Sequence, residues 1–230
     1  HPSANYMPML ASVLSKEGIN FTYTSNTDDL NENTLNQYDG LMIYANHTEI
    51  KPEQEKALLD FVASGHAFLP VHCASFCFQN SPDYIDLVGG QFHKHDTATF
   101  VASIINKEHP VMIGLQEFPT WDETYIHTKL SDDRTVLMER VEGDQREPWT
   151  WTKEHGKGKV FYTAYGHDER TWTNPGFHQL MKQGILWAVN EDVKKQWDDF
   201  RKEMPTLKYR EEANIPNKKK RNPLPQYQEP

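Results

Sequence analysis

Short apolar runs alternate with amphipathic stretches of helical period along the first third of the chain. The pattern predicts helices at residues 5–17 and 51–64, and strands at residues 20–24, 40–45 and 67–71. Strands that alternate with helices are typical of βαβ units, whose right-handed crossovers build a parallel sheet covered on both faces. The chain is therefore expected to adopt an α/β fold.

The middle of the chain has a different pattern. Short β-rich segments occupy residues 97–106, 124–129, 135–141 and 149–153, which indicates antiparallel additions to the sheet or a separate β-excursion. A strand at 158–164 and helices at 175–189 and 191–204 then restore the α/β pattern. The first of these helices is expected to carry five apolar side chains on one face: Phe177, Leu180, Met181, Ile185 and Leu186.

Composition excludes several classes of protein. With 230 residues, of which 37% are hydrophobic, the chain has enough apolar mass for one globular domain. Its net charge of -9 argues against nucleic acid as a partner, and no apolar run is long enough to span a membrane. Residues 208–230 are basic and proline-rich, so we expect a domain over residues 1–207 followed by a linker or tail.

Histidines follow three of the predicted parallel strands. His72 directly follows the strand at 67–71, His47 follows the strand at 40–45 after Asn46, and His167 is the third residue after the strand at 158–164. In open α/β sheets, ligands bind beyond the carboxyl ends of the parallel strands. This edge of the sheet is therefore the predicted site.

Imidazoles and carboxylates dominate the candidate residues, which are His72, His95, Asp122, Glu123, His167 and Asp168. One interpretation is a divalent metal such as zinc, held by His72, His95 and His167 with a carboxylate. The alternative is metal-free acid/base catalysis, with Asp122 or Glu123 as base and a histidine as proton donor. Simpler roles are also open: Asp168 as a helix cap, Glu123 in a surface ion pair and His95 on a loop.

Aromatic residues crowd these motifs. Four of them, Trp121, Tyr125, Tyr165 and Trp172, are predicted to bind substrate, since flat aromatic faces beside carboxylates suit the CH-rich faces and hydroxyls of sugars. The competing interpretation places part of this set in the core. A small-molecule carbohydrate is the expected ligand.

Several motifs in order resemble the ThuA-like (trehalose utilisation) family. They are residues 69–75 (LPVHCAS), 87–92 (LVGGQF), 158–168 (GKVFYTAYGHD) and 184–188 (GILWA). The resemblance implies a flavodoxin-like, three-layer fold of the class I glutamine amidotransferase type, with a mostly parallel central sheet. It also matches His1 to a substrate-side loop after a first strand, so the chain is expected to be a fragment that lacks this strand.

The tail carries a second resemblance. Residues 209–217 and the proline-rich end look like the linker that follows ThuA-like domains in large secreted bacterial proteins, before sugar-dehydrogenase-type and haem-binding modules. This implies a fused or partner dehydrogenase module and a periplasmic or extracellular location, with the cytoplasm as the alternative. A noncatalytic sugar-binding or interaction domain serving that module is the alternative to an enzyme.

The turn after the strand at 67–71 departs from the amidotransferase pattern. Amidotransferases carry a nucleophilic cysteine where this chain has His72, and Cys73, the next residue, is expected to point elsewhere. Glutaminase activity is therefore disfavoured. An amidase with Cys73 as nucleophile and His72 or His167 as base stays the third hypothesis, while packing as small apolar groups is the expected role of Cys73 and Cys77.

Overall fold

The computed structural model describes residues 2–203, apart from the side chains of Arg201 and Glu203. Residues up to Lys194 form one compact unit, and the chain from Lys195 onward belongs to a second. The predicted substrate residue His1 and the predicted tail at 208–230 lie outside the described residues.

Seven α-helices are described. They are α1 (Ser3–Leu14), α2 (Glu32–Leu35), α3 (Pro52–Ala63), α4 (Pro82–Val88), α5 (Glu169–Trp172), α6 (Pro175–Ala188) and α7 (Glu191–Glu203). Within residues 2–203, no helix is both long and apolar enough to cross a membrane.

Ten strands accompany them. They are β1 (Gly40–Ile43), β2 (Ala67–Pro70), β3 (Gln91–Lys94), β4 (Thr97–Val101), β5 (Ser103–Ile104), β6 (Pro119–Glu123), β7 (Ile126–Thr128), β8 (Thr135–Glu142), β9 (Gln145–His155) and β10 (Gly158–Thr163).

Six strands form the central sheet, in the order β1-β2-β10-β9-β8-β5. The neighbours β1, β2 and β10 run parallel, whereas β9, β8 and β5 are added in antiparallel pairs. The α/β fold is confirmed, and the β-rich middle of the chain supplies the predicted antiparallel additions, which make the sheet mixed. Two ribbons, β3–β7 and β4–β6, stand apart from it.

Helices cover both faces of the sheet, as the side chains of β10 show. Phe161 lies against α6, where a Cβ on Gly184 would come within 2.5 Å of its ring. Its neighbour Tyr162 points the other way and stacks on Trp151, whose Nε1–H donates to the carbonyl of Val88 at the end of α4. Alternation of side chains along a strand therefore explains the three layers.

Three sequence predictions are wrong in detail. Residues 20–24 form no strand, and a local hydrogen bond from Thr24 Oγ1 to Asp29 holds this region instead. The predicted strand 97–106 is divided at Ala102, because β4 pairs with β6 while β5 pairs with β8. Leu186 is 38% exposed, whereas the other four residues of the predicted apolar face of α6 are buried.

Candidate functional site

A sharp turn after β2 presents His72 to the site. Val71 makes an isolated bridge to Thr163, and His72 then adopts a left-handed conformation (φ 50°) at the start of a 3₁₀ helix, His72–Phe76. The buried imidazole donates from Nδ1 to the carbonyl of Ala164 at 2.7 Å. Because a carbonyl only accepts, Nδ1 carries a proton, and Nε2 is directed toward Glu123.

Glu123, the last residue of β6, lies at the centre of three imidazoles. Its Oε2 is 3.2 Å from Nε2 of His72, and its Oε1 is 3.0 Å from Nδ1 of His167 and 3.4 Å from Nε2 of His95. The ligand atoms of His72, Glu123 and His167 all lie within 4.8 Å of one another, an arrangement that could hold a metal ion. We call these three residues the ligand cluster.

The electrostatic environment keeps Glu123 ionised. Burial raises the pKa of its carboxyl, but the hydrogen bond from His72 and the charges of His72, His167 and His95 outweigh burial and leave the pKa below its usual value. An anionic oxygen ligand is therefore present at neutral pH.

Asp122 lies behind the ligand cluster and is fully buried. Its carboxylate accepts hydrogen bonds from the backbone N–H groups of Glu123 (2.8 Å), Gly166 (2.9 Å) and His167 (3.1 Å), and from Thr171 Oγ1 (2.7 Å). Burial raises its pKa, against the opposing effects of His72 and these hydrogen bonds. This placement favours a role in positioning Glu123 and His167 over the predicted role of catalytic base.

The peptide before His167 is held from three directions. Gly166 has a positive φ of 139°, which favours glycine, and its carbonyl accepts from the hydroxyl of Tyr44 at 2.7 Å and from Nε1 of Trp172 at 2.9 Å. Its N–H is bound to Asp122. Trp172, which was predicted to bind substrate, is fully buried. Its hydrogen bond to Gly166 supports the loop that carries His167.

Two further aromatic residues predicted to bind substrate are also buried. Tyr165 packs against Phe118 and Trp149 in the core. Tyr125 is 3% exposed and stacks on the ring of His72 at a centroid distance of 4.3 Å. Their burial supports the competing interpretation, in which part of the aromatic set belongs to the core.

The rim of the site contains the accessible predicted residues. Trp121 is partly exposed, its ring lies 5.6 Å from that of His167, and the guanidinium carbon of Arg170 lies 3.5 Å from its centre. The side chain of His95 is 37% exposed. Asp168 caps α5 by accepting from Arg170 N and pairs with the Arg170 guanidinium. Burial raises the pKa of Asp168, but these contacts with Arg170 lower it further than burial raises it.

Other candidates lie away from the ligand cluster. Asn46 and His47 are exposed on the loop after β1, where the His47 carbonyl accepts from Phe78 N. Cys73 is 2% exposed, and burial raises the pKa of its thiol well above the usual value. Both observations disfavour Cys73 as the nucleophile of an amidase.

Sequence reasoning missed three contributors: Tyr44, Arg170 and Thr171. Tyr44 donates to the carbonyl of Gly166, the residue before His167. Arg170 lies over the ring of Trp121, and Thr171 donates to Asp122. The only signal in the sequence is their position, since Tyr44 lies at the end of a predicted strand and the other two closely follow the motif that contains His167.

Known structures place the fold. The chain is similar to a putative ThuA-like protein from Bacteroides uniformis (TM-score 0.70, 16% identity, 82% of this chain and 84% of that one). A putative ThuA-like protein from Parabacteroides merdae gives a TM-score of 0.66 at 17% identity, over 82% and 85% of the two chains. A Salmonella typhimurium protein described as cytoplasmic gives 0.58 at 15% identity, over 80% and 87%.

Comparison with proteins that have curated descriptions gave no match. The sequence model of the ThuA family, described as trehalose utilisation, matches residues 1–188 and thus most of the chain. The structural likenesses agree with it in fold. The chain therefore belongs to the ThuA family.

Proposed function

We propose that the chain is a carbohydrate-processing enzyme whose ligand cluster holds a divalent metal such as zinc at the carboxyl edge of the sheet. One observation carries the proposal: the Glu123 carboxylate lies within 3.4 Å of ring nitrogens from three histidines. A surface ion pair, the simpler role considered for Glu123, does not gather imidazoles in this way.

The donor set fits zinc. Two imidazole nitrogens and one carboxylate are the ligands of several catalytic zinc sites, which keep a fourth position open for water or substrate. The Ala164 carbonyl fixes the tautomer of His72, as outer hydrogen bonds do for metal-bound histidines. Asp122 holds the backbone of the other two residues of the cluster.

The bound metal would supply Lewis acidity toward a carbonyl or hydroxyl oxygen of the sugar. The accessible residues at the rim of the site are assigned the contacts with substrate. His95 is the most exposed of the three histidines around Glu123 and lies outside the tight ligand cluster, so it faces the substrate and exchanges protons with it. Trp121 offers an aromatic surface at the rim for the sugar ring.

A glycoside or a keto-sugar is the proposed substrate. The family description, trehalose utilisation, supports a carbohydrate. A sugar dehydrogenase produces keto-sugars, so a fused or partner module of that type would supply such a substrate. The periplasmic or extracellular location predicted from the tail stays a prediction, since residues 208–230 lie outside the described residues.

A substrate screen tests this function. Zinc-treated wild type, Glu123→Gln and the exposed-histidine control His47→Ala are incubated with glycosides and keto-glycosides, and products are followed by mass spectrometry. We expect conversion by wild type and by His47→Ala, and none by Glu123→Gln. Sugar binding that is equal in all three proteins without conversion would contradict an enzyme and favour the noncatalytic sugar-binding domain.

A further inference from the structure

A chain of hydrogen-bonded polar side chains lies beneath the site, outside the ligand cluster. It consists of Ser75, His127, Glu147 and Tyr162. Glu147 Oε1 accepts from both the backbone N–H (2.8 Å) and Nδ1 (2.9 Å) of His127. Since a carboxylate only accepts, Nδ1 carries a proton, and Nε2 faces the Tyr162 hydroxyl at 3.0 Å.

The inner end of this chain is the carbonyl of His72. The Tyr162 hydroxyl is 3.2 Å from that carbonyl and 3.0 Å from Ser75 Oγ, which itself donates to the same carbonyl at 3.1 Å. A main-chain carbonyl cannot pass a proton to the imidazole of its own residue. The chain therefore has the means to hold the His72 peptide in place but not to relay protons to the ring.

His72 needs such support. A residue other than glycine at φ 50° costs about 1–2 kcal/mol in backbone strain, and it persists only where its surroundings hold it. The direction of the imidazole follows from this backbone. Its Nδ1 reaches Ala164 O only if the turn keeps its shape.

We propose that Tyr162, whose hydroxyl donates its one proton toward the His72 carbonyl and Ser75 Oγ, is a positioning residue that fixes the His72 turn and so aims Nε2 of His72 into the ligand cluster. The proposal deepens the function proposed above and rests on it for the zinc measurement, while the state of the His72 ring can be measured without metal.

The test compares wild type with Tyr162→Phe and with Tyr84→Phe as a matched control. Tyr84 is buried like Tyr162 and donates to the carbonyl of Ala74, in the same 3₁₀ helix but not at His72. Zinc affinity is measured by chelator competition. We expect Tyr162→Phe to weaken zinc binding by about 10–100-fold, as loss of an outer-shell contact does, and Tyr84→Phe by less than about twofold.

A second readout uses the metal-free proteins. NMR of the His72 imidazole should show a protected Nδ1–H in wild type and in Tyr84→Phe, and loss of that protection in Tyr162→Phe. If wild type binds no zinc, the proposed function fails, and this signal alone decides the positioning role.

Two results would overturn the positioning role. One is unchanged zinc affinity with an unchanged His72 signal in Tyr162→Phe, and the other is equal weakening in both tyrosine variants. Should Tyr162→Phe not fold, Ser75→Ala, which removes the other hydroxyl that donates to the His72 carbonyl and accepts from Tyr162, takes its place. It is expected to change zinc affinity and the His72 signal in the same direction to a smaller extent, and no change in either would count against the proposal.

Discussion

Neighbouring carboxyl groups at the end of β6 have opposite environments. The pKa of Glu123 is lowered because imidazoles surround it, whereas burial raises that of Asp122, whose hydrogen-bond donors are mainly neutral amides and a hydroxyl. Adjacent side chains of a strand point to opposite sides, so one carboxylate faces the cleft and the other faces the structure behind it. At the scale of single residues, this alternation separates the proposed ligand from its support.

The thiols provide a residue-scale prediction. Burial raises the pKa of Cys73 well above its usual value and that of Cys77 to about 12, so neither is a thiolate at pH 8. We expect iodoacetamide to modify neither cysteine in the native protein and both after unfolding, as measured by mass spectrometry. Rapid modification of native Cys73 would contradict this account and restore the amidase hypothesis.

At the scale of secondary-structure elements, the site depends on contacts between the end of β6 and the segment that leads from β10 to α5. Asp122 makes these contacts, through the N–H groups of Gly166 and His167 and the hydroxyl of Thr171. The Asp122 carboxylate accepts all four hydrogen bonds, so a side chain that also donates cannot replace it without losing some of them.

Asp122→Asn tests this connection. The amide keeps one acceptor oxygen and sets an NH₂ group against backbone donors, so we expect the free energy of unfolding to fall by about 1–3 kcal/mol. The matched control is Asp168→Asn, at a helix N-cap where asparagine serves as well as aspartate and should cost less than about 1 kcal/mol. Urea denaturation measures both variants. Equal losses in the free energy of unfolding would contradict the role of Asp122 in connecting these elements.

A pH prediction concerns the contacts of β9. The buried Lys153 ammonium pairs with Asp86 and Asp133, both largely exposed, at 3.0 and 2.9 Å. The hydrogen bond from Lys153 lowers the pKa of Asp133, against a smaller effect of burial. A carboxyl with a lowered folded-state pKa contributes stability above its unfolded-state pKa and loses it as the pH falls through the folded-state value.

Lys153→Met should therefore remove part of the acid sensitivity. We expect the stability of wild type relative to this variant to decrease as the pH is lowered from about 5 to about 2, since the unfolded-state pKa of aspartate is about 3.9. Thermal unfolding across this pH range measures the difference. A difference that does not change with pH would contradict the assigned role of the Lys153–Asp133 pair.

The pattern of the sequence predicted correctly those elements that are determined by residues close together in the chain. The turn at His72 and the helix α6 follow from apolar periodicity and from residues that begin and end helices. Residues 20–24 have the apolar pattern of a strand but no partner strand among the described residues, so periodicity alone misassigned them. The exposure of Leu186 likewise depends on what packs against α6, which its sequence does not encode.

At the scale of the whole molecule, the site is assembled from β2, β6 and the loop after β10, which are far apart in the sequence. The sequence predicted which histidines end strands, because that is local information. It could not show that Glu123 lies between them or that Asp122 lies behind, since both facts depend on how the β4–β6 ribbon is placed against the sheet. Burial of Trp172 and Tyr165 is likewise a property of the assembled core.

The central claim is that His72, Glu123 and His167 form one metal site, and calorimetric titration of zinc tests it most directly. Wild type is compared with His72→Ala, Glu123→Gln, His167→Ala and the control His47→Ala. The account predicts one zinc per chain in wild type and in the control, and loss of binding in each of the other three variants. The absence of zinc binding by wild type would contradict the account. So would zinc binding that persists in each of the three single variants.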